Sequence, residues 1–543
     1  MIQKSVFLCS ALLIVGTAIA RSEKPNIVLI MCDDMGYSDL GCYGGEIDTP
    51  NIDALAGGGI RFSHFKNTGR CCPSRASLLT GRHQHAVGLG WMTAVDEHRP
   101  GYRGQIAREI PTLAEIMKEN GYTTYMAGKW HLTVDGAWKP KDSTPNGSYP
   151  TQRGFDGYYG SLSGAGNFYS PKAVYRNEEK VTKFSKGYYY TDAINEHSVE
   201  FIMNHEGTSP FFLYVAHYAP HRPLQAPEKR VEACRERYRV GYDVLRQERY
   251  KRLKEMGLVG SETELPIHQN EYKKQARPTW NSLDSEMKEK WIEEMATYAA
   301  MIEIMDDGLG DVVEAVKKKG EFDNTLFVFL SDNGATSEGG LISQLAADLS
   351  NTPYRSYKAK TFMGGISSPL IIQYPKITGH AAGGVRADYT HIVDILPTCL
   401  DLAGIKYPST FNGLGIAPLD GISVVPALRN VALPKRDFFF EHQTSCAVIS
   451  GAWKLVRLSS GWSWELINLN VDPFELNDVS KAHPEKVAEL EEKWNAWGEK
   501  NHVLPLNSKG LSWNKRVEKY TELYPIQDGR DQMMEKRESI DLR

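Results

Sequence analysis

The sequence has no surplus of either charge: 63 Lys and Arg stand against 67 Asp and Glu, a net charge of −4 over 543 residues. That balance provides no global basic field, so nucleic acid is excluded as a partner and any anion has to be met by a local group of cations. Cysteine is scarce and unpatterned. The eight are Cys9, Cys32, Cys42, Cys71, Cys72, Cys234, Cys399 and Cys446. They show no CxxC and no Cys/His ladder, which argues against both a disulfide framework and a structural zinc. Only the adjacent pair Cys71-Cys72 stands out, and neighbouring cysteines seldom bridge each other because the short link strains the bond. Internal repeats and low-complexity tracts are missing too. No apolar run reaches the length of a membrane span. What remains, 41% hydrophobic and 24% charged residues, is globular composition, and the length supports one large domain plus a smaller one without covalent staples.

The first twenty residues read as an address. Lys4 gives a positive start, Ser5 to Gly16 is mostly apolar, and Ala18-Ile19-Ala20 before Arg21 has the small residues of a signal-peptidase site. Too little apolar sequence precedes Cys9 for a lipoprotein. Residues 1–20 are therefore expected to be a signal peptide, and the protein to be exported, periplasmic or secreted, with no stable membrane insertion.

Short continuous apolar runs mark strands buried on both faces: Asn26–Met31, Thr123–Met126, Phe211–Ala216, Leu326–Leu330 and Leu370–Tyr374. Helical patterns lie between them, with Ile110–Asn120 ending at Gly121 and Ala296–Lys319 ending at Gly320. Strands separated by helices predict an α/β fold, a large mostly parallel sheet flanked by helices, over residues 21–434. Residues 225–290 read as helical excursions with a solvated surface. After Pro434 come short strands, Phe438–Phe440, Ala447–Ser450, Trp453–Arg457 and Trp464–Leu469, and a helix over Pro484–Lys500. This predicts a smaller C-terminal subdomain of antiparallel sheet plus helix over 435–543.

Polar residues punctuate the carboxyl ends of the apolar runs, the edge where open α/β sheets bind ligands. Asp33 and Asp34 follow the first run, Lys129 and His131 the second, His217 and His221 the third, Asp332 and Asn333 the fourth. The adjacent aspartates reach one ion only if the backbone leaves extended geometry, and Gly36 is placed to make that turn. Four oxygen donors without imidazole favour a hard cation, calcium before magnesium. The stretch Cys71-Cys72-Pro73-Ser74-Arg75-Ala76-Ser77-Leu78-Leu79-Thr80-Gly81-Arg82 predicts a helix with Pro73 in its first turn. Cys71 would then sit at a helix N-terminus beside Arg75, as an acidified nucleophile or as a buried cysteine by a cap.

Cys-x-Pro-Ser-Arg followed by Leu-Thr-Gly-Arg resembles the signature of the type I sulfatases, the formylglycine-dependent arylsulfatase family of the alkaline-phosphatase-like superfamily. The resemblance extends over nearly the whole mature chain. It includes Pro25–Ile30 with Asp33-Asp34, Thr49–Asp53, Gly128–His131, Gly154–Asp156, Pro220–Pro223, Ser331–Gly334, and Lys358 six residues before Gly364-Gly365. It implies a sulfuric-ester hydrolase acting on a sulfated carbohydrate or aryl sulfate, with a maturation enzyme that converts Cys71 to formylglycine. The formylglycine hydrate would be the nucleophile and a sulfated enzyme the intermediate. Asp33, Asp34, Asp332, Asn333 and residue 71 would hold calcium. Arg75 and Lys129 would fix the hydrate and neutralise sulfate, His131 would act on its second hydroxyl, and His221 and Lys358 would face the ester oxygen and the sulfate. His221 is preferred over His217 because the family pattern is His-x-Pro. Many relatives carry an acidic residue before the glycine pair, where this chain has Met363. Trp91 and Trp130 are candidates for a sugar platform or for packing. Two alternatives stay open: a phosphonate or phosphate monoester hydrolase of the same superfamily, and a non-catalytic glycan-binding relative.

Overall fold

The computed structural model describes residues 24–93, 99–133, 147–267, 278–338, 341–459 and 462–503, without the side chains of 341–343. The leader expected over 1–20 lies outside these residues. Ten strands form one sheet: β1 (Asn26–Cys32), β2 (Ile60–Lys66), β3 (Thr123–Gly128), β4 (Gly157–Ser161), β5 (Val174–Arg176), β6 (Glu179–Lys180), β7 (Phe211–Ala216), β8 (Thr325–Ser331), β9 (Leu370–Gln373) and β10 (Gly384–His391). Their order is β10-β2-β9-β8-β1-β7-β3-β4-β5-β6. The ladders from β8 through β1, β7 and β3 to β4 are all parallel. Why β1 sits at the centre is visible in its sequence. Ile27, Leu29 and Met31 enter the core on one face of the sheet, Val28, Ile30 and Cys32 the core on the other. A strand with two buried faces has no place for a polar residue until it ends.

The run Leu370–Tyr374 forms β9 but runs antiparallel to both neighbours, β8 and β2. Gly334 N still bonds to Gly365 O at 3.1 Å, so the chain has not left the carboxyl edge of β8 when β9 begins and can only run back. The strands β5 and β6 close the far edge in antiparallel fashion.

Helix bounds differ from the sequence reading for local reasons. The helix Leu113–Glu119 starts late because Thr112 and Glu115 form a reciprocal capping box. The helix Ser285–Lys318 starts well before Ala296, where the Asp284 carboxylate accepts from Met287 N. Gly121 and Gly320 lie just past the helix ends at φ +86° and +69°, the left-handed step that glycine makes without a steric penalty. Among the described residues, the charged stretch before Ser285 holds two α-helices, Glu228–Arg235 and Tyr242–Glu255.

After a short ladder of β11 (Thr410–Phe411) and β12 (Leu414–Gly415), a second sheet follows: β13 (Phe438–His442), β14 (Ser445–Ser450), β15 (Trp453–Arg457) and β16 (Glu465–Asn468), all antiparallel. The helix Pro484–Lys500 lays Leu490, Trp494 and Trp497 on Val448, Leu455 and Leu466, a core of its own. The seven cysteines among the described residues are buried and unbridged. No helix among those residues is long and apolar enough to cross a membrane.

Candidate active site

The carboxyl edge of β1, β3, β7 and β8 gathers the polar residues that end those strands. Asp33 N bonds to Ala219 O (3.1 Å), and the chain then turns at Asp34, whose φ is +68°. The departure from extended geometry thus falls on Asp34 itself, since aspartate tolerates the left-handed region better than most side chains. Gly36 instead permits a close approach of two backbone segments, since a Cβ there would lie 2.3 Å from Ser350 O. The turn brings one carboxylate oxygen of each aspartate and a ring nitrogen of His221 within 4.8 Å of one another.

From β8, Asp332 Oδ1 accepts from Asp34 N (3.4 Å) and Asn333 Nδ2 donates to Asp34 Oδ1 (2.7 Å). Lys358 Nζ lies 2.7 Å from Asp34 Oδ1. Lys129 Nζ contacts Asp33 Oδ2 and lies 5.5 Å from the centre of the Tyr218 ring. Arg75 is one turn after Cys71 on the helix Cys71–Thr80, hence on the same face. Its guanidinium, fully buried, donates to Asp332 Oδ2 (2.8 Å) and to Lys129 O (3.1 Å), and lies 3.7 Å from Asp33 Oδ2. Three carboxylates thus face three fixed cations in a closed interior.

The charges tune one another. Burial alone pushes the Asp33 carboxyl up, but Lys129, then His221 and Arg75, hold it down to about 2. Asp332 goes the other way, raised well above the carboxylate range by burial and by Asp33. Burial opposes the charge on Lys358, yet Asp34 keeps its ammonium protonated above the usual lysine value.

Cys71 is the first residue of its helix, whose N-cap Arg70 supplies no side-chain cap; Pro73 has no N–H and Ser74 N bonds to Arg70 O, so Cys71 N and Cys72 N are the first-turn donors at that end. The two neighbouring thiols differ. The Cys71 thiol is held well below its ordinary value, by Cys72 foremost and by Lys129 and His131 against burial. The Cys72 thiol is pushed up by burial, packed at 3.6 Å from Trp91 O. A ring nitrogen of His131 lies within 4.8 Å of both sulfurs. Gly164 makes room for that ring, since a Cβ there would be 2.3 Å from it.

Two oxygens in this cluster, Asp33 Oδ1 and Asn333 Oδ1, are buried and have no hydrogen-bond partner among the described residues. Orphaned acceptors in a set of oxygen donors fit a hard cation rather than a soft one.

All ten residues singled out for chemistry lie on this edge. His217 does not face it in the same way: its backbone continues the strand, donating to Met31 O (2.8 Å), and burial with Arg75 pushes its ring down to about 3. Trp91 and Trp130 are 4% and 1% exposed, and Trp130 Nε1 is spent on Ser148 O (2.8 Å). Both are packing residues and neither offers a face to a sugar. The sequence reading passed over Arg70 and Glu338. Arg70 Nη1 lies 3.5 Å from Glu338 Oε1, which lies 3.8 Å from Lys358 Nζ. The Glu338 side chain is 46% exposed, so this trio forms the rim of the site. The position of Arg70 directly before Cys71 was the one signal available; Glu338 has none.

A model of the sulfatase family matches residues 25–405, and one described as N-sulphoglucosamine sulphohydrolase, C-terminal, matches 356–499. The chain is similar to the arylsulfatase of Klebsiella aerogenes, at 31% identity over 76% of this chain and 94% of that one. It is similar to the N-acetylgalactosamine-6-sulfatase of Rattus norvegicus, at 30% identity over 84% and 75%. Among solved structures, Ps i-CgsB in complex with k-i-k-neocarrahexaose superposes with a TM-score of 0.66 at 26% identity, over 93% of this chain and 98% of that one.

Proposed function

We infer the reaction from one premise: the chain belongs to the sulfatase family. It is a sulfuric-ester hydrolase. The residue roles below are our proposal. The observation that carries them is the pair of orphaned acceptors, Asp33 Oδ1 and Asn333 Oδ1, beside a helix N-terminus that begins with Cys71.

A sulfate ester is a monoanion, so attack at sulfur needs neutralisation of charge on the oxygens around it. The three cations of the cluster are already engaged by its own carboxyl groups. Asp33, Asp34, Asp332, Asn333 and residue 71 would hold calcium, which supplies the missing positive charge as a Lewis acid. Formylglycine at position 71 would supply, as its hydrate, two hydroxyls on one carbon, the first to attack sulfur and the second to expel sulfate once deprotonated. Asp332, whose carboxyl is raised by burial and by Asp33, takes the proton released by the attacking hydroxyl. Arg75 and Lys129 fix the nucleophile and the sulfate oxygens. His131 acts on the second hydroxyl. His221, whose Nε2 lies 3.6 Å from Asp34 Oδ2, donates to the leaving oxygen, and Lys358 meets the sulfate. The similarity to N-acetylgalactosamine-6-sulfatases and to a structure holding neocarrahexaose supports a sulfated glycan as substrate. A maturation enzyme for Cys71 and export through the leader complete the reading.

Peptide mass mapping of protein made with a maturation enzyme tests it. The expected product carries an aldehyde at Cys71 and an intact thiol at Cys72, and Cys71→Ala should lose on the order of 10⁶-fold in turnover, as removal of a covalent nucleophile does. Fully active protein with an unmodified Cys71 overturns it. A panel of defined sulfated sugars beside a nitrophenyl sulfate then identifies the leaving group.

A further inference from the structure

The loop that carries Lys358 is held from the C-terminal sheet. It folds on itself, Gly364 N donating to Arg355 O (2.7 Å), and it touches the strand-end residues through Gly334 N to Gly365 O (3.1 Å) and Lys358 N to Ala335 O (3.0 Å). These bonds tie it to its own edge of the large sheet. Three other links come from far along the chain. Arg355 Nη1 lies 2.8 Å from Glu465 Oε2 at the start of β16 and donates to Glu475 O (2.9 Å). Thr361 N donates to Ser445 Oγ on β14 (3.0 Å). Met363 N, at the first position of the single turn Met363–Ile366, donates to Glu475 Oε2 at 2.6 Å.

The last bond differs in kind. Glu475 is 0% exposed, and its other oxygen lies 2.5 Å from Lys454 Nζ, also 0% exposed. A buried ion pair gives little net stability against an apolar pair of the same shape. The backbone N–H it meets could be satisfied by a hydroxyl, as Thr361 N is by Ser445. What a charge adds is strength and direction, because a carboxylate accepting from N–H holds its donor more tightly than a neutral oxygen does. Lys454 Nζ holds the other oxygen and so aims the carboxylate. The turn so pinned begins five residues after Lys358, and its Gly364 and Gly365 make the bonds that shape the loop.

We propose that Glu475 is a positioning residue for Lys358: by holding Met363 N from the segment that follows β16, it sets the loop that places the Lys358 ammonium against Asp34 and the sulfate. This rests on the sulfate role of Lys358 given above. The C-terminal subdomain would then be part of the sulfate site without touching it.

A double-mutant cycle on the matured holoenzyme tests this, with inorganic sulfate inhibition as a readout that needs no chemical step and thermal unfolding as a control for folding. Glu475→Gln should raise KM for a nitrophenyl sulfate and the inhibition constant of inorganic sulfate by about 10-fold each, with a smaller change in kcat. In a Lys358→Ala background, the same substitution should change neither. Glu475→Asp keeps the charge for Lys454 and withdraws it from Met363 N, so it should show the same pattern where the glutamine variant fails to fold. Equal factors in both backgrounds, or unchanged sulfate inhibition in the single variants, overturn the proposal. A Lys358→Ala enzyme that binds sulfate like the parent overturns it together with the sulfate role of Lys358. A normal loss for Lys358→Ala with none for Glu475→Gln or Glu475→Asp overturns the positioning role alone.

Discussion

Two clusters of buried charge flank the segment that follows β1, and they differ in how completely their atoms are used. In one, Arg249 spends Nε and Nη2 on the two oxygens of Glu46 (2.6 and 2.7 Å) and Nη1 on Asp39 Oδ1 (2.7 Å). Asp39 Oδ2 accepts from Gly36 N (2.7 Å) and from Tyr298 Oη (2.6 Å). In the other, Asp33, Asp34, Asp332, Arg75, Lys129 and Lys358 are as deeply buried, yet Asp33 Oδ1, Asn333 Oδ1 and Arg75 Nε have no partner among the described residues. A polar network with every atom paired is a structural joint; one left half-satisfied costs free energy in the empty protein. Burial and charge do not separate the two. The unspent acceptors do, and they mark the second cluster as the one built around a ligand.

The sharpest way to break that contrast is to remove one member of each cluster. Asn333→Ala deletes an orphaned acceptor and should lower turnover by about 10²–10³-fold, with metal content falling by elemental analysis and the fold intact. Arg249→Met leaves Asp39 and Glu46 buried without their cation and should cost about 3–5 kcal/mol of stability, while metal content and kcat measured below its melting point stay as they were. An Arg249→Met protein stripped of metal, beside an Asn333→Ala protein that keeps it, would reverse the assignment of the two clusters. Two tightly held zinc ions per chain would overturn the hard-cation reading itself.

The same comparison separates what was legible in the sequence from what was not. The end of β1 could be placed because a strand buried on both faces stays apolar until it stops, and the first polar residues after it, Asp33 and Asp34, announce the edge. Cys71 and Arg75 were readable from their spacing on a helix. The direction of β9 was not, because it depends on where the preceding loop leaves the chain. The alternating Ile60–Lys66 and the polar Gly384–His391 went unnoticed as strands, since Arg61, His64, Arg386 and Asp388 interrupt any apolar run. Glu338, Arg249 and Glu475 meet their partners only through tertiary contact, and nothing in their neighbours in sequence signals it. The pair His217 and His221 shows the limit of proximity as a guide. The residue nearest the strand end is still tied by its backbone to β1, whereas the one past the turn reaches the site.

That pair gives a smaller effect. Cleaving a sugar sulfate releases an alkoxide that needs a proton, while a nitrophenolate leaves without one. His221→Ala should therefore reduce turnover of a sulfated sugar by about 10²–10⁴-fold and that of a nitrophenyl sulfate far less. Lys129→Ala should damage both, because its charge acts on the sulfate common to the two. Equal losses on both substrates for His221→Ala would remove it as the acid, and a selective loss for His217→Ala would move the role there.

The smallest effect belongs to His217 and concerns stability rather than rate. Its ring titrates at about 3 in the folded protein because burial, then Arg75, oppose its charge, whereas in the unfolded chain it takes a proton near the ordinary value of about 6.5. The folded pKa is the lower one, so between those values the unfolded state binds more protons and stability falls as pH falls. The loss amounts to about 1.4 kcal/mol for each unit below about 6.5, until the folded ring also titrates. His217→Gln removes this contribution, so its unfolding free energy should fall less steeply than the parent's between pH 6 and pH 4. The pH profile of kcat/KM should not move, since a ring neutral throughout that range donates nothing. Parallel stability curves for parent and variant would show that His217 titrates normally in the fold, and a shifted kcat/KM profile would return it to the list of proton donors.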